Sequence, residues 1–394
     1  MRGAILSFTI VAFAVMPCHG QSPQSLTLRQ AEQLAAKNHP QIQAAEEYAT
    51  AAAAQVVETR SVYYPQAYGN LTGVKAENNS RIAAGGLNNP VIYDRFAEGV
   101  AVNQLVTDFG RTNELVKSSN LHAKAEQENV TATRADVLLR LDQSYFSVLK
   151  AQAVLQVAEQ TVKSRQLVAD QTIALQKSNL KSGLDVSFAN VDLAQAQLFL
   201  IQAKNDVQAS FAELSRALGY SDPRTFTLAE EPLPAPPPPD FGPLLQEAMS
   251  SRPELIGLDF DLKSAQSYAT AERDLWFPTI SAVGTAGLIP FRQEVLMSRY
   301  AAAGFNVNVP IFNGKLFTAR KNEAGARARA EGQVLRDLQD RIARDVRTAW
   351  LSSNSAFERL AVTQQLRSEA TQAFYLAQSR YQLGLSSIVE LRRN

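Results

Sequence analysis

Apolar side chains recur at helical spacing along the longest uninterrupted stretch of this chain. The 72 residues between Gly110 and Gly183 contain no glycine and no proline. A continuous helix of that length would extend for about 110 Å, whereas an average globular helix has about 12 residues. The apolar stripe contains several small side chains, which favour close contact with other helices. Its members are Val137, Leu141, Tyr145, Val148, Ala151, Leu155, Ala158 and Val162.

A second uninterrupted stretch follows, from Leu184 to Leu218, and it combines helical spacing with a polar face. The pair Ser182-Gly183 between the two stretches is typical of a turn. We therefore expect a helical hairpin with its tip at Gly183. Two further helical segments, each placed before a strand, are expected over Leu26–Tyr64, with a break at Pro40, and over Glu254–Phe277.

Alternation of apolar with other residues predicts strands. The clearest run contains Phe305, Val307, Val309 and Ile311, and a weaker run contains Val100, Val102, Gln104 and Val106. Each run has an upstream partner, so the sequence offers two hairpins. The partners are Pro65–Lys75 and Pro278–Ile289, joined to these runs through loops at about 76–94 and 290–298.

The whole arrangement occurs twice along the chain. Tyr64-Pro65 is matched by Phe277-Pro278 at an offset of 213 residues, and the turn at Gly110 is matched by a turn at Gly314. A duplication this long indicates two large structural repeats. The expected organisation is a signal peptide at 1–20, a first repeat at 21–221, a proline-rich linker at 222–243 and a second repeat at 244–394. Eight of the seventeen prolines lie in that linker, which should be extended and stiff.

The start of the chain predicts export from the cytoplasm. Arg2 precedes an apolar run that ends near Met16, which is typical of a secretory signal. Lipidation at Cys18 is an alternative, but Pro17, directly before the cysteine, fits a lipid-modification site poorly. No later stretch has 18 consecutive apolar residues, so no transmembrane helix is expected. An exported chain can also cross a membrane as a closed β-barrel.

The sequence offers no chemistry for catalysis or for a cofactor. None of the three histidines has a second ligand at metal-binding spacing, and no phosphate-binding loop or nucleophile elbow is present. The net charge of +1 gives no reason to expect nucleic acid. The chain is therefore not expected to be an enzyme, to hold a metal or to bind a cofactor.

The order of these elements and several short motifs resemble the outer membrane efflux protein (TolC) family. The first repeat carries Asn38-His39-Pro40, Tyr64-Pro65, the run from Gln104 to Arg111 and the run from Asp192 to Gln197. The second carries Arg252-Pro253, Phe277-Pro278, the run from Val309 to Lys315 and Arg380-Tyr381-Gln382-Leu383-Gly384. Their order and doubling across nearly the whole mature chain make the resemblance specific.

The resemblance implies a mainly α fold in which long antiparallel helices form a coiled-coil barrel across the periplasm. Three copies of the chain would each give four strands to a twelve-stranded β-barrel in outer-membrane lipid. The barrel's outer face would be formed by Val100, Val102, Val106, Phe305, Val307, Val309 and Ile311. The homotrimer would be a passive exit duct for an efflux or type I secretion system, linked to an inner-membrane transporter through a periplasmic adaptor (membrane fusion) protein.

The resemblance also implies roles for the two helical tips. The adaptor would dock at Gly183, Leu184, Gly384, Leu385 and Ser386. An acidic ring narrows the periplasmic entrance in this family, and Glu390 occupies its first position, but Arg393 occupies the second, which departs from the family pattern.

Two further expectations concern the whole chain. The second repeat ends ten residues after Gly384, so it is expected to be truncated before its last helix. The alternative to the duct is a periplasmic coiled-coil structural or adaptor protein with a small β-domain. An apolar face on all four strands would favour the duct, and the first strand satisfies this requirement least well.

Overall fold

The computed structural model describes residues 25–77 and 92–382 and is mainly α-helical, with one four-stranded antiparallel sheet. This agrees with the expected fold class. Two short 3-10 turns, at Ser61–Tyr63 and Asp274–Trp276, precede the first and third strands. The helices and strands are α1 Leu28–Asn38, α2 Pro40–Arg60, β1 Gln66–Val74, β2 Arg95–Thr107, α3 Arg111–Lys177, α4 Gly183–Ala217, α5 Gly242–Ser251, α6 Pro253–Arg273, β3 Thr279–Arg292, β4 Arg299–Asn308 and α7 Leu316–Gln382.

The long helix predicted from the first uninterrupted stretch is present, and so is its counterpart in the second repeat. Helices α3 and α7 each contain 67 residues. The stripe along α3 faces inward, because Val137, Leu141, Tyr145 and Val148 are all buried. Helix α4 buries Ala189, Ala196 and Ala203 at intervals of seven residues, the repeat of a coiled coil with small side chains at its seam.

One compact unit comprises the chain up to Lys37 together with Arg140–Leu233. In this unit the segment before α1 pairs with the segment after α4 through a parallel bridge between Leu26 and Leu228. The Tyr145 hydroxyl lies 2.8 Å from the Leu26 carbonyl oxygen and 2.7 Å from that of Ala229. A phenol has one proton to donate, so the Tyr145 hydroxyl can donate a hydrogen bond to only one of these two carbonyls at a time. Either hydrogen bond connects its segment to α3.

The other compact unit comprises Asn38–Leu139 together with Pro234–Asn394, and it contains the sheet. Helix α6 packs along α7. The end of the proline-rich segment is also held on α7, because the indole of Trp350 donates to the Pro238 carbonyl at 2.8 Å and its ring packs 6.0 Å from that of Phe241. Helix α5 was not predicted, because Pro243 was assigned to the linker, whereas proline is favoured in the first turn of a helix.

The two predicted hairpins join into one sheet with the order β1-β2-β3-β4. Strand β3 continues to Arg292, beyond its predicted end at Ile289. Pro290 is accommodated because the pairing with β2 is irregular between Phe96 and Glu98, where an N–H donor is not required. Strand β4 ends at Asn308, opposite the start of β3 at Thr279, so the predicted extension to Ile311 was wrong.

Candidate functional site

Register and alternation place the apolar side chains of the sheet on one face. Val100 pairs with Gly69 in β1 and Ala286 in β3, and Ala286 pairs with Ala301 in β4. Since alternate residues of a strand point to the same side, further members of this face follow from the same register. The apolar and small ones are Ala67, Leu71, Val102, Ile280, Ala282, Gly284, Leu288, Ala303, Phe305 and Val307. The same register also places Glu98, Gln104 and Arg299 on this face.

Four of the seven residues predicted for an outer face share this apolar face, namely Val100, Val102, Phe305 and Val307. All four are exposed, and Phe305 is 76% exposed. The other three are placed differently. Val106 lies in a second irregularity, between Leu105 and Thr107, and Val309 and Ile311 follow the end of β4.

The opposite face of the sheet is more polar and contains many small residues. Its cross-strand rows include Tyr68 with Ala101, Gln66 with Asn103, Ser281 with Asn306 and Thr279 with Asn308. Tyr300 lies across Gly287 on this face, since a Cβ atom on Gly287 would lie 2.6 Å from Tyr300 Cζ. The tyrosine therefore covers a position where only glycine fits. The sheet consequently has one mainly apolar and one mixed polar face, both open to solvent in a single chain.

The hairpin tip between α3 and α4 has a closely defined backbone. Helix α3 ends in a Schellman motif, with Asn179 in the left-handed region at φ 59° and the Leu180 N–H donating to the Leu175 carbonyl at 2.9 Å. Helix α4 starts with a capping box: Asp185 N–H donates to Ser182 Oγ at 3.2 Å, and Ser182 N–H donates to Asp185 Oδ2 at 3.0 Å. The Ser182 hydroxyl hydrogen bond, followed by the backbone one, lowers the pKa of Asp185 below its ordinary value.

The tip differs in detail from the sequence-based expectation. Gly183 does not end α3; it is the first residue of α4, and the left-handed position of the turn belongs to Asn179. The reason is the capping box, which starts the second helix at Ser182. The turn leaves Leu180 and Leu184 exposed on 69% and 63% of their surface. Gly384, Leu385, Ser386 and Glu390 lie outside the described residues.

An ion pair and a histidine–aspartate hydrogen bond hold the helices together below the sheet. Glu272, buried near the end of α6, has its carboxylate oxygens 2.6 Å and 3.0 Å from the Nε and Nη2 atoms of Arg320 in α7. Its hydrogen bonds to Glu272 raise the pKa of the Arg320 guanidinium. His122 Nδ1 lies 2.9 Å from Asp261 Oδ1, which links α3 to α6. Both pairs line a cleft of about 560 Å³.

Neither contact was predicted, because the partners lie 48 and 139 residues apart and only helix packing brings them together. In residues 25–77 and 92–382, no group of three or more His, Cys, Asp or Glu side chains could hold a metal ion. None of the helices in that part of the chain has an apolar stretch long enough to cross a bilayer. The two contacts join α6 to α7 and α3 to α6.

The chain is similar to proteins of bacterial efflux systems. It shares 23% identity over 288 residues with the cation efflux system protein CusC of Escherichia coli K12, covering 68% of this chain and 59% of CusC. It shares 23% identity over 299 residues with the antibiotic efflux pump outer membrane protein ArpC of Pseudomonas putida, covering 71% of this chain and 58% of ArpC. The chain thus spans less than two thirds of the length of either relative.

The fold is likewise shared with a solved structure. A membrane protein from Pseudomonas aeruginosa superposes with a TM-score of 0.79 at 22% identity, covering 92% of this chain and 85% of that one. The family model for outer membrane efflux proteins matches residues 31–220 and 244–393, which include both copies of the helix–hairpin–helix pattern. With most of its length matched in this way, the chain belongs to the outer membrane efflux protein family.

Proposed function

We propose that this chain forms the outer-membrane exit duct of a tripartite efflux or type I secretion system. Three copies would combine their sheets into one twelve-stranded barrel, and their long helices would form a cylinder in the periplasm. The observation that carries the proposal is the exposed face that runs across all four strands and is apolar apart from Glu98, Gln104 and Arg299. The strands contain 9, 13, 14 and 10 residues, and about ten residues suffice to cross the apolar part of an outer membrane.

The two-faced sheet supports a barrel that separates lipid from water. In such a barrel the lipid-facing side chains are apolar and those facing the lumen are polar. Val100, Val102, Phe305 and Val307 would face lipid, and Asn103 and Asn306 would face the lumen. Val106, Val309 and Ile311 would lie at the periplasmic end of the barrel, where the strands give way to the helices.

The tip between α3 and α4 supports docking of a periplasmic adaptor. Exposed leucines on a well-defined turn offer apolar anchors that lose little conformational freedom on binding. Leu180 adds to the predicted Gly183 and Leu184. The second docking tip, at Gly384, Leu385 and Ser386, and the narrowed entrance at Glu390 remain part of the proposal on the strength of the family resemblance alone. The adaptor would connect the duct to an inner-membrane transporter.

The duct would be general for its cargo, and selection would reside in the transporter. The names of two relatives support this view, since one belongs to a cation efflux system and the other to an antibiotic efflux pump, at the same 23% identity to this chain.

The test introduces a lysine on one face of β2 or on the other and compares the amounts of outer-membrane trimer. Lysine in place of a lipid-facing residue near mid-membrane costs about 2–4 kcal/mol, whereas a lumen position tolerates it. Val102→Lys should therefore lower the amount of outer-membrane trimer at least tenfold, and Asn103→Lys should leave it near the wild-type amount. Fractionation of the membranes followed by native mass spectrometry measures both quantities.

A soluble periplasmic protein would respond differently. Val102 is already exposed in a single chain, so a lysine there would be harmless if the sheet stayed in water. Equal amounts of trimer from Val102→Lys and Asn103→Lys would therefore contradict the duct and favour the periplasmic coiled-coil alternative.

A further inference from the structure

Tyr300 is half-buried in a strand that is otherwise open to solvent. Within β4, which the structure describes from end to end, every other residue is exposed. Tyr300 pairs with Gly287 in β3, and Gly287 pairs in turn with Gly99 in β2. The row ends at Asn70 in β1. Two glycines therefore lie beside the tyrosine on the adjacent strands, and they leave room for its side chain.

The tyrosine side chain lies along the surface of the sheet and reaches across two strands. A Cβ atom added to Gly287 would lie 2.6 Å from both Cζ and Oη of Tyr300. A Cβ atom added to Gly99 would have the same hydroxyl oxygen as its closest neighbour. The end of the phenol thus occupies the space that a side chain would fill at either position. It can lie there only because both residues are glycine.

The two glycines also allow the backbones of β2 and β3 to approach closely. A Cβ atom on Gly99 would lie 2.6 Å from the Ala286 carbonyl oxygen, and one on Gly287 would meet the carbonyl of Glu98. The glycines therefore have two separate roles, since they bring two strands together and they make space for the tyrosine. Only the second role concerns the width of the space in front of the sheet.

The face that carries Tyr300 is the one proposed to line the lumen. Tyr300 and Asn306 lie six residues apart in β4, so their side chains are on the same side of the strand. The next row toward the helices lines a hollow of about 450 Å³, and its members are Tyr68, Ala101, Thr285 and Ala302. A tyrosine that stood away from the wall at position 300 would project into the space beside this hollow.

We propose that Gly99 and Gly287 set the size of cargo that can pass through the barrel, because they let Tyr300 lie against the wall. Three copies of the tyrosine would lie at one level of a trimeric barrel, so the three rings would widen or narrow the lumen together. Side chains on the lumenal face of a barrel tune what passes through it. A side chain at position 99 would turn each ring into the lumen. This inference rests on the duct proposed above.

The experiment measures the largest reagent that reaches a thiol beyond Tyr300, at the helix end of the barrel. Cys18 is the only cysteine in the sequence and lies in the expected signal peptide, so Asn306→Cys supplies a single lumenal thiol. Maleimides joined to polyethylene glycol chains of increasing length are added to intact cells, and labelling of the purified trimer is quantified. Val307→Cys is the matched control, because the next residue along the strand faces lipid.

Two substitutions in the Asn306→Cys background test the tyrosine and its recess. Tyr300→Ala should leave the size limit for labelling unchanged, because the ring already lies along the wall. Gly99→Ala should lower the limit, so that labelling by the largest reagent admitted by the parent is lost. Tyr300→Ala added to Gly99→Ala should restore that labelling. The double variant retains the close contact with the Ala286 carbonyl but has no ring to displace.

A further variant tests the recess without altering a glycine, and it decides the question if Gly99→Ala fails to assemble. Ala101→Tyr places a tyrosine in the next row, where its cross-strand neighbours are Tyr68 and Thr285. Neither neighbour is glycine, so this ring should stand in the lumen and lower the size limit.

Three results would overturn the proposal. A higher size limit in Tyr300→Ala would mean that the ring already stands in the lumen. A lower limit in Gly99→Ala that Tyr300→Ala does not restore would assign the effect to the backbone contact. An unchanged limit in Ala101→Tyr would show that a tyrosine needs no glycines to lie flat. Failure of the duct looks different, because Val307→Cys would then be labelled as readily as Asn306→Cys.

Discussion

Asp142, near the middle of α3, is a half-buried carboxylate. Its Oδ1 atom is buried, and no hydrogen-bond partner for that atom is present in the described part of the chain. Burial, followed by the negative charge of Glu32, raises the pKa of Asp142 above its ordinary value. A carboxylic acid with a raised pKa in the folded state favours folding while it is protonated and opposes folding once the pH exceeds that pKa.

Asp142→Asn should therefore stabilise the protein at neutral pH. The amide removes the charge, and the expected gain is about 1 kcal/mol or less after solvent screening. The gain should shrink toward zero as the pH falls below about 3.9, where an ordinary aspartate is protonated in both states. Thermal unfolding of the detergent-solubilised protein between pH 3.5 and 8 measures this difference.

The control for this substitution is Glu159→Gln, which neutralises an exposed carboxylate on the same helix. It should leave the unfolding midpoint unchanged at every pH. If Asp142→Asn lowered the midpoint at pH 7.5, the carboxylate would have a stabilising partner, and the assignment of a burial cost would be wrong.

At the scale of elements, the turn between α3 and α4 is held by its own backbone and capping interactions. Ser182→Ala removes the hydroxyl that accepts from the Asp185 N–H and donates to its carboxylate at 2.8 Å. Loss of a serine cap costs about 1 kcal/mol. We expect amide hydrogen exchange in the first turn of α4 to accelerate about fivefold, the factor that corresponds to this cost, with the rest of the helix unchanged.

A substitution farther along α4 provides the comparison. Gln195→Ala alters an exposed side chain on the same helix and should leave exchange in the first turn at the wild-type rate. Equal exchange rates in Ser182→Ala and Gln195→Ala would mean that the capping box does not hold the turn.

The sequence predicted the elements well where local signals dominate. Helices α3 and α4 were predicted because long stretches without glycine or proline leave few other structures, and α1 was separated from α2 at the proline break. Helix α7, which contains Gly325 and Gly332, was predicted only as the counterpart of α3 in the second repeat. Strand ends were predicted less well, because the pairing partner decides where a strand stops. Strand β4 stops at Asn308, where β3 begins, and nothing in the alternation of Val307, Val309 and Ile311 marks that position.

The candidate sites show the same limit. The apolar alternation at Phe305 and Val307 was visible in one strand, and the tip followed from a single glycine. The pairing of Glu272 with Arg320 and of His122 with Asp261 requires the packing of α6 on α7 and of α3 on α6. Such pairs join residues 48 and 139 positions apart, so periodicity within one segment carries no signal for them.

At the scale of the whole molecule, the proposed duct works only if its tips engage an adaptor after the protein has assembled. A substitution at Gly183 can test adaptor docking separately from assembly of the trimer. A Cβ atom added there would meet nothing within 4 Å, and the backbone is not in the left-handed region, so a side chain does not strain the chain. Glutamate is also favourable in the first turn of a helix. Gly183→Glu should therefore fold and assemble as the wild type does.

Export should nevertheless fail in Gly183→Glu, because a bulky charge beside Leu184 would have to be desolvated in the contact with the adaptor. The readout is growth of cells that lack the chromosomal copy, in compounds to which that deletion sensitises them. Gly183→Ala, which adds only a methyl group, and Gln195→Arg, which adds charge away from the tip, should both restore growth. Full growth with Gly183→Glu, at a normal amount of trimer, would remove the tip from the docking surface, whereas loss of the trimer would show that Gly183 serves assembly instead.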